Sequence, residues 1–227
     1  MLASDHFSKK ELSYIKPICQ ESFSDSRSLD AVIELLLLNG RSLPHAMMML
    51  MPEAWQDNPD MDPDLRNFYE YHASLTEAWD GPAAVCFTDG RHLGAMLDRN
   101  GLRPARYIVT TDNRFILASE EGALPLEPAK VKERGRLGPG KLILIATITG
   151  PFKKDQEIKR EMTEGHAYGQ WLEQEKTLLV DLPVPQKVIH KHKNKGLEFQ
   201  KLFGMTEEEV KLILKPMAIQ AKEAIAS

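Results

Sequence analysis

Four groups of residues in this chain have types and spacing suited to chemistry. Asp25 stands between Ser24 and Ser26, a carboxylate flanked by hydroxyls that suits an ammonium group or makes a plain polar turn. Asp98–Tyr107, DRNGLRPARY, gathers Arg99, Arg103 and Arg106 about Asn100-Gly101. Such a set holds a carboxylate or forms surface salt bridges. His190 and His192, in HKHKNK, are spaced to touch phosphate or a metal, with a solvated basic linker as the simpler reading. Cys19 and Cys86 are isolated, and Cys86 lies mid-run among apolar residues, which predicts a buried inert thiol. No Gly-x-Ser-x-Gly elbow, phosphate-cradling glycine loop or histidine pair on one helix face is present. His72 has no second histidine or cysteine at metal-ligand spacing and reads as a core or boundary residue, so no metal site is expected. On spacing alone, function stays open.

The elements that must position these groups centre on residues 82–120. Pro82–Phe87, His92–Leu97, Ala105–Val109 and Arg114–Ala118 are apolar runs, each ending at a turn signal: Thr88-Asp89-Gly90, Arg99-Asn100-Gly101 and Thr111-Asp112-Asn113 for the first three. Short antiparallel connections within one sheet follow, and the first run, lacking polar alternation, predicts a strand covered on both faces. Lys130–Arg136 and Lys141–Ile148 extend the strands, joined by Gly138-Pro139-Gly140.

Helices flank this block. Ser8 with Glu11 predicts a capping box for a helix within 7–22 that Pro17 stops. Ser28 caps Leu29–Leu38, a helix apolar on nearly every face and closed by Asn39-Gly40. A methionine-rich helix at 42–51 fills the core, and a third spans Pro63–Ala78 behind Asp62. Residues 155–176 form two helical pieces divided near Gly165 and His166, and 181–196 reads as a linker. A last helix, Thr206–Leu214, carries a Thr206/Glu209 capping box.

Length and charge bound the rest. The 227 residues suffice for a real core, and the net charge of −4 recommends neither nucleic acid nor a membrane surface as partner. No apolar run approaches the roughly 20 residues of a membrane span. Two unpaired cysteines beside ten methionines fit a reducing cytoplasm.

Four phrases carry a resemblance: SDSRSLDAVIELLLLNGRSLPHAMMMLMPEAW, DPDLRNFYEYHASLTEAWDGPAAVCFTDGR, LDRNGLRPARY and ASEEGAL. In this order they resemble the glutamate synthase large chain, in the second half of its class II glutamine amidotransferase domain. The resemblance implies an α+β fold, an incomplete four-layer αββα N-terminal-nucleophile hydrolase-like sandwich with mainly antiparallel sheet. It divides the chain into a truncated amidotransferase domain (1–180), a linker (181–196) and the start of a central domain (197–227). The family hydrolyses the side-chain amide of glutamine and passes ammonia on for glutamate formation from 2-oxoglutarate.

Residue by residue, the resemblance carries little chemistry over. Asp25 matches the family aspartate that accepts the substrate α-amino group, with Ser24 as its neighbour; Phe23 stands where the family usually has glycine and crowds the approach. Asn100, Gly101, Arg99 and Arg103 match structural support beside the active site, with the two arginines expected in ion pairs. No catalytic residue can be assigned, because Met1 is followed by Leu2 rather than a nucleophilic cysteine, and no His-Asn-Gly motif occurs. The expected picture is a segment inactive alone that binds glutamine only with the missing half-domain and joins the remainder of the large chain. It holds no cofactor itself, the full-length enzyme being expected to carry FMN and an iron–sulfur cluster. The competing expectation is a non-catalytic amidotransferase-like scaffold or binding module. An isolated chain of either kind is expected to dimerise, aggregate or require a partner.

Overall fold

A computed structural model describes residues 7–148, 152–183 and 196–221. The chain forms two units, Met1–Lys176 and Thr177–Ser227. Helix α1 (Lys9–Ile15) opens the first with the expected capping box, Ser8 accepting from the Glu11 backbone and Glu11 accepting in return.

Helix α2 (Asp25–Leu38) starts a turn earlier than its apolar pattern suggests. Ser24 rather than Ser28 is the N-cap, its Oγ accepting from Arg27 N at 3.3 Å, so Asp25 becomes the first helical residue. A carboxylate there is favoured by the helix dipole. The far end is a Schellman closure: Gly40, at φ 81°, donates to Leu37 O, and Arg41 donates to Leu36 O. Burial of α2 is one-sided, contrary to expectation. Only Leu35 and Leu36 are fully buried, and Leu38 is exposed.

Helix α3 (Leu43–Leu50) is the centre of the core. Met47, Met48, Met49 and Leu50 are all buried, as is Met51 after it, and the flexible thioethers fill the space between helices and sheet. Helix α4 (Pro63–Ala73) begins where Asp62 Oδ1 accepts from Asp64 and Leu65, and stops five residues short of the expected Ala78.

Strands β1 (Ala84–Thr88), β2 (His92–Leu97), β3 (Arg106–Thr110), β4 (Phe115–Ala118), β5 (Val131–Arg136), β6 (Leu142–Ala146) and β7 (Phe152–Lys153) divide between two antiparallel sheets, not one. The first has order β1-β2-β6-β7 and the second β4-β3-β5. Asp89-Gly90 and Asp112-Asn113 make true hairpins, whereas Asn100-Gly101 and Gly138–Gly140 carry the chain from one sheet to the other.

Period-two patterning then sorts side chains by face. Val85, Met96, Leu142 and Leu144 join the helical core, while Ala95, Leu97 and Ile143 meet Phe115 and Leu117 between the sheets. The layers are helix, sheet, sheet. The outer face of the second sheet shows Ile108 and Ile116 half-buried. Because β1 is an outermost strand, Cys86 is exposed, not buried, and the strand is not covered on both faces. Beside it an apolar cleft of about 950 Å³ opens between the sheets, lined by Cys86, Leu93, Phe115, Leu117 and Ile145.

Helices α5 (Asp155–Thr163) and α6 (Tyr168–Glu175) close the unit, separated at Gly165 and His166 as expected. One charged cluster ties α5 to β6 and to the end of α3. Lys159 Nζ lies 2.8 Å from both Glu53 and Asp155 and donates to Gly140 O at 3.0 Å. Lys141 Nζ reaches the same two carboxylates at 3.1 and 3.0 Å. Burial opposes the charge on Lys141, but Asp155 and Glu53 outweigh it and raise its pKa.

In the second unit, α7 (Gly196–Leu202) precedes α8 (Glu207–Glu209), which runs through a π-helical turn (Val210–Leu214) into α9 (Lys215–Gln220). The Thr206/Glu209 capping box is present. The linker reading of 181–196 falls mostly on residues 184–195, which with His190 and His192 lie outside the described residues.

Candidate functional site

Asp25 is exposed at the N-terminus of α2, and its carboxylate makes no hydrogen bond or ion pair among the described residues. Ser24 cannot turn freely towards a ligand, since its Oγ caps the helix and contacts Ser26 Oγ at 3.2 Å. Phe23 serves the same turn by stacking under the Arg27 guanidinium, 4.1 Å from the ring centroid. Asp25 sits at a cavity of about 290 Å³ whose wall includes Cys19, Leu50, Glu77, Trp79 and Asp80. Trp79 is held at both ends: its backbone N–H donates to Leu50 O at 2.6 Å and its indole Nε1 to Gly81 O at 3.0 Å. The result is a small recess with one aromatic wall and free carboxylate charge, able to hold an ammonium group.

The arginines about Asn100-Gly101 do not converge on one anion. Arg99 lies 3.7 Å from Asp80, Arg103 donates to the Pro82 carbonyl at 3.4 Å, and Arg106 lies 3.8 Å from Glu121. Among the described residues the expected ion pair therefore exists for Arg99 but not for Arg103. Through Asp80, Arg99 reaches the rim of the Asp25 recess. Arg99 and Asn100 also line a neighbouring cavity of about 450 Å³ that shares Thr76, Glu77 and Ala78 with it.

What holds this region is Asp98. It is 4% exposed, and its carboxylate accepts from Ala83 N at 2.9 Å, Asn100 N at 2.9 Å and Gly101 N at 3.2 Å. Its backbone carbonyl accepts from Gly140 N at 2.8 Å, fastening the two inter-sheet turns together. Gly101, at φ 59°, could not carry a Cβ, which would lie 2.8 Å from Pro139 Cα. A Cβ on Gly140 would lie 2.4 Å from Glu53 Cβ. An aspartate two residues before Asn-Gly is a turn signal in its own right. The partners across the sheets, Ala83 and Gly140, have no such signal.

A histidine pair also escapes the sequence. His45 on α3 and His72 on α4 place their Nε2 atoms 3.0 Å apart. His72 Nδ1 lies 2.7 Å from Phe68 O and must donate to it, which leaves His72 Nε2 to accept from His45. So His72 is the core residue expected, 2% exposed, but it has a histidine partner from another helix. Among the described residues no cluster of three or more metal-ligating side chains forms.

Burial, with the charges of Arg41 and His166, lowers His72 to about 4; for His45 burial, then His72, Arg41 and His166, lower it to about 3. The unfolded chain binds these protons first, near 6.5. Stability from the pair is therefore complete above that value and is lost as pH falls towards 4. Urea midpoints should drop steadily from pH 7 to pH 5, and His45→Gln should flatten that slope. A profile unchanged by the substitution would mean that other groups set it.

Comparison with known proteins shows the family of the chain. The Glutamine amidotransferases class-II family matches residues 1–171. The ferredoxin-dependent glutamate synthase of Pyropia yezoensis is 44% identical over 219 residues, 95% of this chain and 14% of that protein. The glutamate synthase [NADPH] large chain of Bacillus subtilis is 42% identical over 96% of this chain, and 14% of its own length is covered. For the glutamate synthase [NADH] of Saccharomyces cerevisiae the figures are 42%, 96% and 11%. The chain thus spans about one seventh or less of the length of these curated relatives.

Proposed function

The chain belongs to the class II glutamine amidotransferases, and on that premise we propose that it is the amine-binding portion of a glutaminase domain in a glutamate synthase. In this reading Asp25 receives the α-ammonium of glutamine while the side-chain amide is hydrolysed to glutamate and ammonia, the ammonia then serving glutamate formation from 2-oxoglutarate. The observation that carries it is the Asp25 carboxylate, unpaired among the described residues and set by the Ser24 cap at the mouth of the Trp79 recess. A carboxylate without a protein partner is the acceptor a substrate ammonium requires.

The nucleophile comes from outside these residues. Family chemistry uses a thiolate whose own α-amine is the base. Cys86 is internal to β1, and Cys19, although it lines the recess, gives its thiol to Ser28 O at 3.8 Å in a lining without histidine. Two features fit a complementary segment: the free edge of β1 and the apolar cleft beside it, into which further strands can be laid. The flavin and iron–sulfur groups belong on other segments, since an iron–sulfur cluster takes four ligands and Cys19 and Cys86 are the only thiols here.

The test is glutamate release by this chain mixed with a separately expressed segment that begins with the nucleophilic cysteine. Activity is expected in the mixture. Asp25→Asn should lower kcat/KM by the worth of one charge-assisted bond, about 3 kcal/mol or on the order of 100-fold. An active mixture indifferent to Asp25→Asn would remove the amine-binding role. A folded but silent mixture would favour a scaffold without chemistry.

A further inference from the structure

At the opposite end of α2 from Asp25, about 21 Å along a helix of this length, stands an arginine without an anion. Arg99, Arg106, Arg114 and Arg134 each face a carboxylate. Arg41 has none among the described residues, and its Nε is buried with no acceptor. An unmet buried donor is costly and rare in folded chains, so it calls for an explanation.

Its surroundings are rich in donors and poor in negative charge. The Arg41 guanidinium acts electrostatically on His45, His72 and the Tyr168 phenol, and His166 acts on half-buried His45 and buried His72. The His45 and His72 rings lie 4.8 Å apart, and the His72 and Tyr168 rings and the His166 and Tyr168 rings 5.2 Å, so the four rings form one continuous patch, with Arg41 four residues before His45. His166 is exposed and gives the patch an opening to solvent. Helix α6 begins in the same place, and its N-cap Ala167 offers no side-chain acceptor and its first turn no acidic residue. Its free N–H groups add to the same polarity.

We propose that Arg41, His166 and Tyr168 form a binding site for an oxyanion, the carboxylate or phosphate group of a small ligand. A planar guanidinium pairs with either group through parallel hydrogen bonds. His166 supplies a further donor from the solvent side. Nothing in this site overlaps the Asp25 recess, so it does not depend on the amidotransferase reading.

The experiment follows the imidazole resonances of the full chain by two-dimensional NMR during separate titrations with inorganic phosphate and succinate. Sodium chloride at matched ionic strength is the control. Saturable shifts of the His166 and His45 signals are expected with at least one probe in the millimolar range, and none with chloride. Arg41→Gln should raise the dissociation constant at least tenfold, and His166→Gln about threefold. Preference for one probe identifies the ligand as a phosphate or a carboxylate. Shifts that never saturate, or equal binding by folded Arg41→Gln, overturn the proposal. Should Arg41→Gln fail to fold, unchanged binding by His166→Gln, altered only at an exposed side chain, overturns it instead.

Discussion

Lys159→Met lowers the stability of the first unit by about 3–5 kcal/mol, the cost of removing one member of a buried ion pair. Lys159 is 4% exposed and holds Glu53, Asp155 and the Gly140 carbonyl at once. Without it the two carboxylates face each other with only Lys141 between them, and that side chain is 43% exposed. Lys141→Met therefore costs far less, about 1 kcal/mol, in keeping with a pair that water already screens. Urea unfolding measures both. In a double-mutant cycle, adding Glu53→Gln to Lys159→Met should return part of the loss, because the second change removes a charge that the first left unpaired. A loss under 1 kcal/mol for Lys159→Met would show that the cluster is held by the packing around it.

Asp98→Ala has the next largest effect, about 3 kcal/mol. Three backbone donors, from Ala83, Asn100 and Gly101, lose their acceptor together, and Asp98 is almost wholly inaccessible to water. Asp98→Asn recovers only part, since one of its two positions becomes a donor facing donors. The readout is the urea midpoint at constant denaturant slope. An alanine variant within 1 kcal/mol of the parent would mean that the Gly140–Asp98 backbone bond alone keeps the turns in place.

The sequence shows local decisions well and distant ones badly. The Ser8 and Thr206 capping boxes and the Gly40 closure each depend on residues within five positions, and each is found as read. Asp89-Gly90 and Asn100-Gly101 look alike as dipeptides, yet only the first joins neighbouring strands. The difference lies with β6, which occupies the place beside β2 that β3 was expected to take. The same limit hides His45 from His72 and Glu53 from Lys159, partners 27 and 106 positions apart. Asp25 was legible as a residue. That its carboxylate stands unpaired among the described residues on the first turn of a helix, beside Trp79, was not, because the apolar pattern starts only at Leu29 and points to Ser28 as the cap, whereas Ser24 caps the helix.

The two fastened turns also bear on how this chain assembles. Residues 98–141 leave the first sheet, build all three strands of the second, and return to a point where Leu97 N donates to Lys141 O at 3.2 Å. The second sheet is thus a closed excursion whose entry and exit touch. β2 and β6 can pair before it orders, at the slowly growing entropy of closing a single loop. The strand ladders of the excursion are wholly its own, and the packing of Phe115 and Leu117 on Ala95, Leu97 and Ile143 ties its face to the first sheet, so it can open and close as a cooperative unit while the helical core stays intact.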